Sequence, residues 1–160
     1  MLFEDDPSRS SLRSITTRRD RATLQNTDFL FPTSDFVALG SVFTHMLAKE
    51  VENYLSEVAR VLKPGGRSLI TFFLLNAESL GLIESGLSTV DLREQFGPAR
   101  AVSRETAELA VGYDIDFVTS IYEKNGLTIS QPIRFGSWCG RSDYLSYQDI
   151  VVAAKPQAAS

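Results

Sequence analysis

The chain has 160 residues, 43% of them hydrophobic and 22% charged, with a formal net charge of -4. This is the make-up of one globular domain, and the negative balance argues against a dedicated nucleic-acid surface. No apolar run approaches the roughly 20 residues needed to span a bilayer. One His and one Cys exclude a zinc site of the usual kind, and Cys139 alone excludes an internal disulfide. A single cysteine fits a reducing, cytoplasmic compartment. The amino terminus lacks the basic region and apolar core of a secretory signal. Its Arg and Ser content faintly resembles a transit peptide, and the acids Glu4, Asp5 and Asp6 count against that.

Residues 1–25 carry many charges and little apolar periodicity, which predicts a disordered arm. Its arginines Arg9, Arg13, Arg18, Arg19 and Arg21 read as a solvated tail or as a contact for an anionic partner. Residues 26–155 form the predicted domain, and 156–160 a frayed tail. Phe36, Val37, Ala38 and Leu39 are an apolar run without alternation, as in a parallel strand buried on both faces. Gly40 and Ser41 break it. From about Ala48 a helix follows, with Val51, Tyr54, Leu55, Val58 and Leu62 as one apolar stripe. Pro64 stops this helix, Gly65 and Gly66 turn the chain, and 68–75 is the next strand. A helical connection between two strands makes them parallel, with a right-handed crossover.

The stretch 76–110 is less regular, with short helical pieces expected at 78–84 and 90–96. A second crossover helix spans 116–125, capped by Asp114 or Asp116 and ended by Asn125 and Gly126. Residues 127–135 form a strand in which Pro132 indicates an edge or a bulge. Residues 148–154 form the last strand. The short polar link between these two predicts a hairpin, so the last strand runs antiparallel. The pattern is half of a parallel α/β sheet of the kind that binds a nucleotide-like cofactor.

Three elements together carry a resemblance: Asp35-Phe-Val leading into a strand, Val58-Ala-Arg-Val-Leu-Lys-Pro-Gly-Gly66 between helix and strand, and the terminal antiparallel hairpin. Over residues 27–155 the chain resembles the carboxyl-terminal part of a class I S-adenosylmethionine-dependent methyltransferase. The resemblance implies an α/β fold built on a partial Rossmann-like sheet, with parallel strands, crossover helices and a carboxyl-terminal antiparallel hairpin. It implies methyl transfer from S-adenosylmethionine, without a metal, to an oxygen or nitrogen of a small-molecule acceptor. The family also carries a Gly-X-Gly loop after its first strand and an acid at the end of its second. Here the first glycine is Gly40, so the resemblance implies a truncated enzyme of weak or no activity. The alternative is a non-catalytic interaction module or a gene remnant. A hydride-transferring nucleotide enzyme would need the same glycine-rich turn.

Ligands of open α/β sheets bind beyond the carboxyl ends of the strands. Residues 40–45, 76–113 and 136–147 fall there. The resemblance makes Leu39, Gly40 and Ser41 the wall for the cofactor's methionine end; without a ligand, Gly40 and Ser41 are a tight turn. His45, the only imidazole, is the candidate catalytic base, or else a packing residue at the helix entrance. Trp138 and Arg141 are candidate acceptor-binding residues, the arginine through a carboxylate or phosphate; otherwise Trp138 covers the core. Cys139 reads as a small buried filler. In the family a further strand pairs beside Phe36, Val37, Ala38 and Leu39. None is evident here, so this edge is expected to support self-association.

Overall fold

The computed structural model of the chain describes residues 32–157. Residues 1–31, which include the expected arm, and the tail 158–160 lie outside them. The described residues form an α/β fold of two mixed four-stranded sheets. The first is ordered β1-β2-β8-β7 and the second β3-β6-β5-β4.

β1, Ser34–Leu39, pairs in parallel with β2, Leu62–Phe72, and the two are joined by α1, Ala48–Val61. The predicted stripe of α1 is buried: Val51, Tyr54, Leu55 and Val58 are at most 4% exposed. It packs with Val37, Leu39, Ile70 and Phe72 into the main core. At about 1.5–3 kcal/mol for each large apolar side chain, this stripe is what fixes the helix on the sheet. Glu50 accepts from the Leu47 amide at 2.9 Å and closes the first turn. At the other end the Lys155 ammonium donates to the carbonyls of Ala59 and Leu62 at 2.7 and 2.9 Å, a cation where the helix dipole favours one.

Four expectations in this half are corrected. β1 is not buried on both faces: Phe36 is 41% exposed while Val37 and Leu39 are buried, so it alternates like a half-covered strand. α1 already ends at Val61, because Lys63 precedes Pro64 and is pushed to extended backbone. β2 therefore starts at Leu62 rather than Ser68, passing through Gly65 at φ +79°. It also stops at Phe72. The next residues form β3, Leu74–Leu75, which leaves for the second sheet.

α2, Ala77–Glu84, is as expected, with Asn76 accepting from the Ser79 amide at 2.9 Å. The helix expected at 90–96 is absent. The chain instead enters β4, Glu94–Phe96, and returns as β5, Ala99–Ala101. Gly97 at φ +58° followed by Pro98 is the chemistry of a two-residue hairpin turn, and it overrides the weak helical spacing. β6, Val111–Asp114, leads directly into α3, Ile115–Lys124. Asp114 occupies the cap position of α3, but its side chain makes no capping hydrogen bond. Gly126 at φ +67° follows the end of α3.

β7, Thr128–Ile129, is shorter than the predicted 127–135, with only a bridge from Arg134 to Ile150 beyond it. Pro132, which offers no amide, interrupts it. It does lie at a sheet edge, and it pairs antiparallel with β8, Asp149–Ala154, as the hairpin reading requires. β8 in turn runs antiparallel to β2.

Candidate functional site

β1 and β2 end on the same side of the first sheet, and β8 begins there, with Phe72 opposite Asp149. All three predicted ligand-facing segments meet at this end. After Leu39 the chain turns through Gly40, where an added Cβ would meet no atom within 4 Å. Ser41 follows in the left-handed region at φ +56°, a conformation that a non-glycine residue adopts only when its surroundings impose it. The Ser41 amide donates to Thr71 Oγ1 at 2.8 Å, and its hydroxyl donates to Gln148 Oε1 at 3.1 Å. Thr71 Oγ1 donates to the same Gln148 oxygen at 2.5 Å. Gly40 and Ser41 are exposed, whereas the Leu39 side chain is turned into the core at 1% exposure. Leu39 therefore offers its backbone, not its side chain, to this surface.

His45 closes the 3-10 turn Phe43–His45. Phe43 anchors the turn, meeting the Tyr54 and Phe72 rings edge-on at centroid distances of 5.7 and 5.3 Å. The half-buried His45 ring places Nδ1 3.0 Å from the Glu108 carbonyl. A carbonyl only accepts, so in the neutral ring Nδ1 carries the proton and Nε2 is the basic nitrogen. The 76–113 segment is also tied here by Tyr113, whose hydroxyl donates to the Met46 carbonyl. Burial pushes that phenol far above its ordinary range, so it acts as a donor and not as a base.

Trp138 and Arg141 lie in a buried network next to this surface. Trp138 is fully buried, packs on Phe73 at 5.0 Å and donates Nε1–H to Asp149 Oδ2 at 2.8 Å. Arg141 Nη1 donates to Asp149 Oδ1 at 3.3 Å and to the Gly136 carbonyl at 3.2 Å. Its Nε donates to Glu78 at 2.7 Å, and its guanidinium lies 4.8 Å over the Phe135 ring. Both side chains thus direct their polar groups to protein partners. Cys139 is buried beside them, and burial pushes its thiol up, as suits a filler.

Sequence reasoning missed Asp149, the centre of this network. Its carboxyl also accepts from the Leu74 and Gly136 amides, each at 2.6 Å. Burial pushes the carboxyl above its ordinary value; the Gly136, Leu74 and Trp138 donors and the Arg141 charge act in the opposite sense. The only trace in the sequence is one acid at the head of an otherwise apolar run, Asp149-Ile-Val-Val-Ala-Ala154. Gln148 and Thr71 were likewise read only as parts of strands.

A family model described as a methyltransferase domain matches residues 6–70. Among solved structures, an S-adenosylmethionine-dependent methyltransferase from Methanosarcina mazei is similar at 18% identity and a TM-score of 0.56. That alignment covers 84% of this chain and 65% of the other. An O-methyltransferase family protein from Burkholderia thailandensis follows at 13% identity and a TM-score of 0.54, covering 88% and 34%. An O-methyltransferase family 2 protein from Planctomyces limnophilus, in complex with apigenin, gives 17% and 0.52, covering 78% and 31%. The chain thus spans less than two thirds of the length of each of these proteins. With β1 and β2 parallel, β8 antiparallel between β2 and β7, and these matches, the chain carries the fold of the class I S-adenosylmethionine-dependent methyltransferases.

Proposed function

We propose that this chain is a methyltransferase segment whose first sheet is part of a Rossmann-like cofactor-binding sheet. The order β1-β2-β8-β7, with the last strand reversed, is the observation that carries this reading. The ligand is S-adenosylmethionine, and the reaction is displacement at its methyl group by an oxygen or nitrogen of a small molecule. The backbone of Leu39, Gly40 and Ser41 lines the methionine end. His45 stands at the neighbouring turn as a base for an acceptor proton, while alignment of the nucleophile does most of the work. Trp138 and Arg141 act on the acceptor by holding the 136–147 loop in place.

The first glycine of the sequence is Gly40, so the backbone cradle that the family places after its first strand has no counterpart here. Binding by this chain is therefore weak. Calorimetric titration with S-adenosylhomocysteine should give no tight complex, and a low-micromolar constant would overturn the claim of weakness. At millimolar S-adenosylhomocysteine the backbone amide signals of Leu39, Gly40 and Ser41 should move; if they stay fixed, this surface is not the cofactor site.

Self-association through β1 is a second part of the proposal. Among the described residues β1 ends its sheet, and Phe36 is 41% exposed there. Such an edge templates pairing with a second copy. Light scattering should report a dimer or larger species. A monomer with the amides of Phe36, Val37, Ala38 and Leu39 protected from exchange would overturn it.

A further inference from the structure

Gln148 has one end of its side chain fixed by the fold, and the other end has no partner among the described residues. Thr71 Oγ1 already accepts the Ser41 amide at 2.8 Å, so its own proton must go to an acceptor. The acceptor 2.5 Å away is Gln148 Oε1, which takes the Ser41 hydroxyl as well, at 3.1 Å. At 2.5 Å the contact is short for N–H···O but within the O–H···O range, which assigns the amide oxygen rather than the NH2 to this position. The two N–H groups of Nε2 then remain as donors, and the side chain is only half-buried. The backbone behind it is held closely: a Cβ on Gly136 would lie 2.4 Å from the Tyr147 carbonyl and 2.5 Å from the Gln148 carbonyl carbon. Preorganised donors of this sort, beside a strained Ser41 and an open Gly40 at the carboxyl ends of β1 and β2, are what a polar ligand contact requires.

We propose that Gln148, oriented by Ser41 and Thr71, is a ligand-binding residue that donates its amide protons to a carboxylate or carbonyl oxygen. The inference rests on the methyltransferase reading only in placing the ligand at this end of the sheet. The oxygen belongs either to the amino-acid end of the cofactor or to the methyl acceptor, and the chemistry of recognition is the same for both.

The side-chain amide pair of Gln148 can be followed directly by nitrogen-15 NMR, assigned by its loss in Gln148→Glu. Three probes separate the sources. S-adenosylhomocysteine has the carboxylate, 5′-methylthioadenosine lacks it, and benzoate stands in for an acceptor. A shift with S-adenosylhomocysteine but not with methylthioadenosine assigns the contact to the cofactor; a shift with benzoate assigns it to the acceptor. Gln148→Glu still accepts from both hydroxyls but donates nothing. It should keep the wild-type melting temperature and bind the active probe about tenfold more weakly. If the Gln148 pair stays fixed with all three probes, or Gln148→Glu lowers the melting temperature and leaves affinity unchanged, the trio is only a brace and the proposal falls. Movement of the Gly40 and Ser41 amides with S-adenosylhomocysteine, without the Gln148 pair, overturns this inference and spares the cofactor reading. Movement of the Gln148 pair with benzoate, while the Leu39, Gly40 and Ser41 amides stay fixed with S-adenosylhomocysteine, does the reverse.

Discussion

The two sheets of this protein are held in different ways. In the first, β1 and β2 are six and eleven residues long, and they share a core with α1 and α3. In the second, the strands have two to four residues; Leu74, Ala99, Val111 and Tyr113 join the main core, and a smaller cluster of Phe73, Leu75, Ile83, Leu92, Trp138 and Cys139 packs beside β3. At the junction, where β2 gives way to β3, one buried carboxylate binds Leu74, Gly136, Trp138 and Arg141. Dispersed apolar burial tolerates the loss of one contact, whereas a junction gathered on one polar anchor does not. The candidate ligand surface lies where the two regimes meet.

The sharpest way to break this contrast is Asp149→Ala. It strips four donors of their acceptor inside the protein and leaves the Arg141 charge buried. Removing one partner of a buried pair destabilises by about 3–5 kcal/mol. Urea unfolding should show that loss, and hydrogen exchange should speed up first around Leu74 and 136–139. A loss below about 1 kcal/mol would mean that the network is incidental. The intact pair is not thereby a large net stabiliser, as its ionisation shows. Burial raises the folded-state value of Asp149 above that of the unfolded chain, ordinarily near 3.9. The native state therefore retains a proton that the unfolded chain releases. The contribution of this group is full below the unfolded value and declines as pH rises through the folded one. Asp149→Asn cannot ionise, so its stability should lack that decline from about pH 4 upward. Parallel curves for the two proteins would contradict the direction of the shift.

The same contrast explains what could be read in the sequence. The first sheet was legible because apolar runs and a helical stripe report burial by their spacing, and Leu-Lys-Pro-Gly-Gly marks the entry to β2. The Asp149 network was not, because its members lie far apart in the chain: Glu78 and Arg141 meet at 2.7 Å across 63 positions. Only the folded β8 brings them together. Within 90–96 the short alternations suit helix and strand alike, and the Gly97-Pro98 turn decides the outcome. For the candidate site, the resemblance pointed to Leu39, Gly40 and Ser41 as a wall, and the structure turns the Leu39 side chain into the core. The resemblance did not point to Thr71 or Gln148, since a polar residue within or beside a strand looks the same whether it braces or binds.

Leu55→Ala probes the other regime. Leu55 is fully buried in the main core, and truncation there should destabilise by about 2–5 kcal/mol, depending on how far the cavity closes. Exchange should accelerate across α1, β1 and β2 together, because burial there is shared. Acceleration confined to α1 would show the first sheet to be less cooperative than its core implies.

Gly136→Ala tests the loop behind the candidate site, with a smaller expected effect. The new methyl group would meet the Tyr147 carbonyl at 2.4 Å, and backbone cannot swing aside as a side-chain tip can. A loss of about 1–3 kcal/mol follows from such overpacking. It should come with shifted signals for Gln148 and Trp138, whose backbones this glycine approaches or adjoins. Unchanged signals there would separate the loop from the Gln148 surface.

The smallest effect is expected at the outer rim of the second sheet, where Arg104 approaches Glu94 at 3.5 Å with the two side chains 71% and 51% exposed. If polar contacts in general held this sheet, the pair would matter as Asp149 does. Exposed pairs gain little attraction in water, restrict two long side chains and are screened by salt, so they are worth about 0–1 kcal/mol. Arg104→Ala should therefore shift the urea midpoint only slightly, and the shift should vanish at about 1 M salt, where the screening length is about 3 Å. A loss above about 2 kcal/mol that persists in high salt would contradict the division drawn between burial and charge. The second sheet would then depend on its surface ion pairs as much as on its buried core residues and the anchor at its junction.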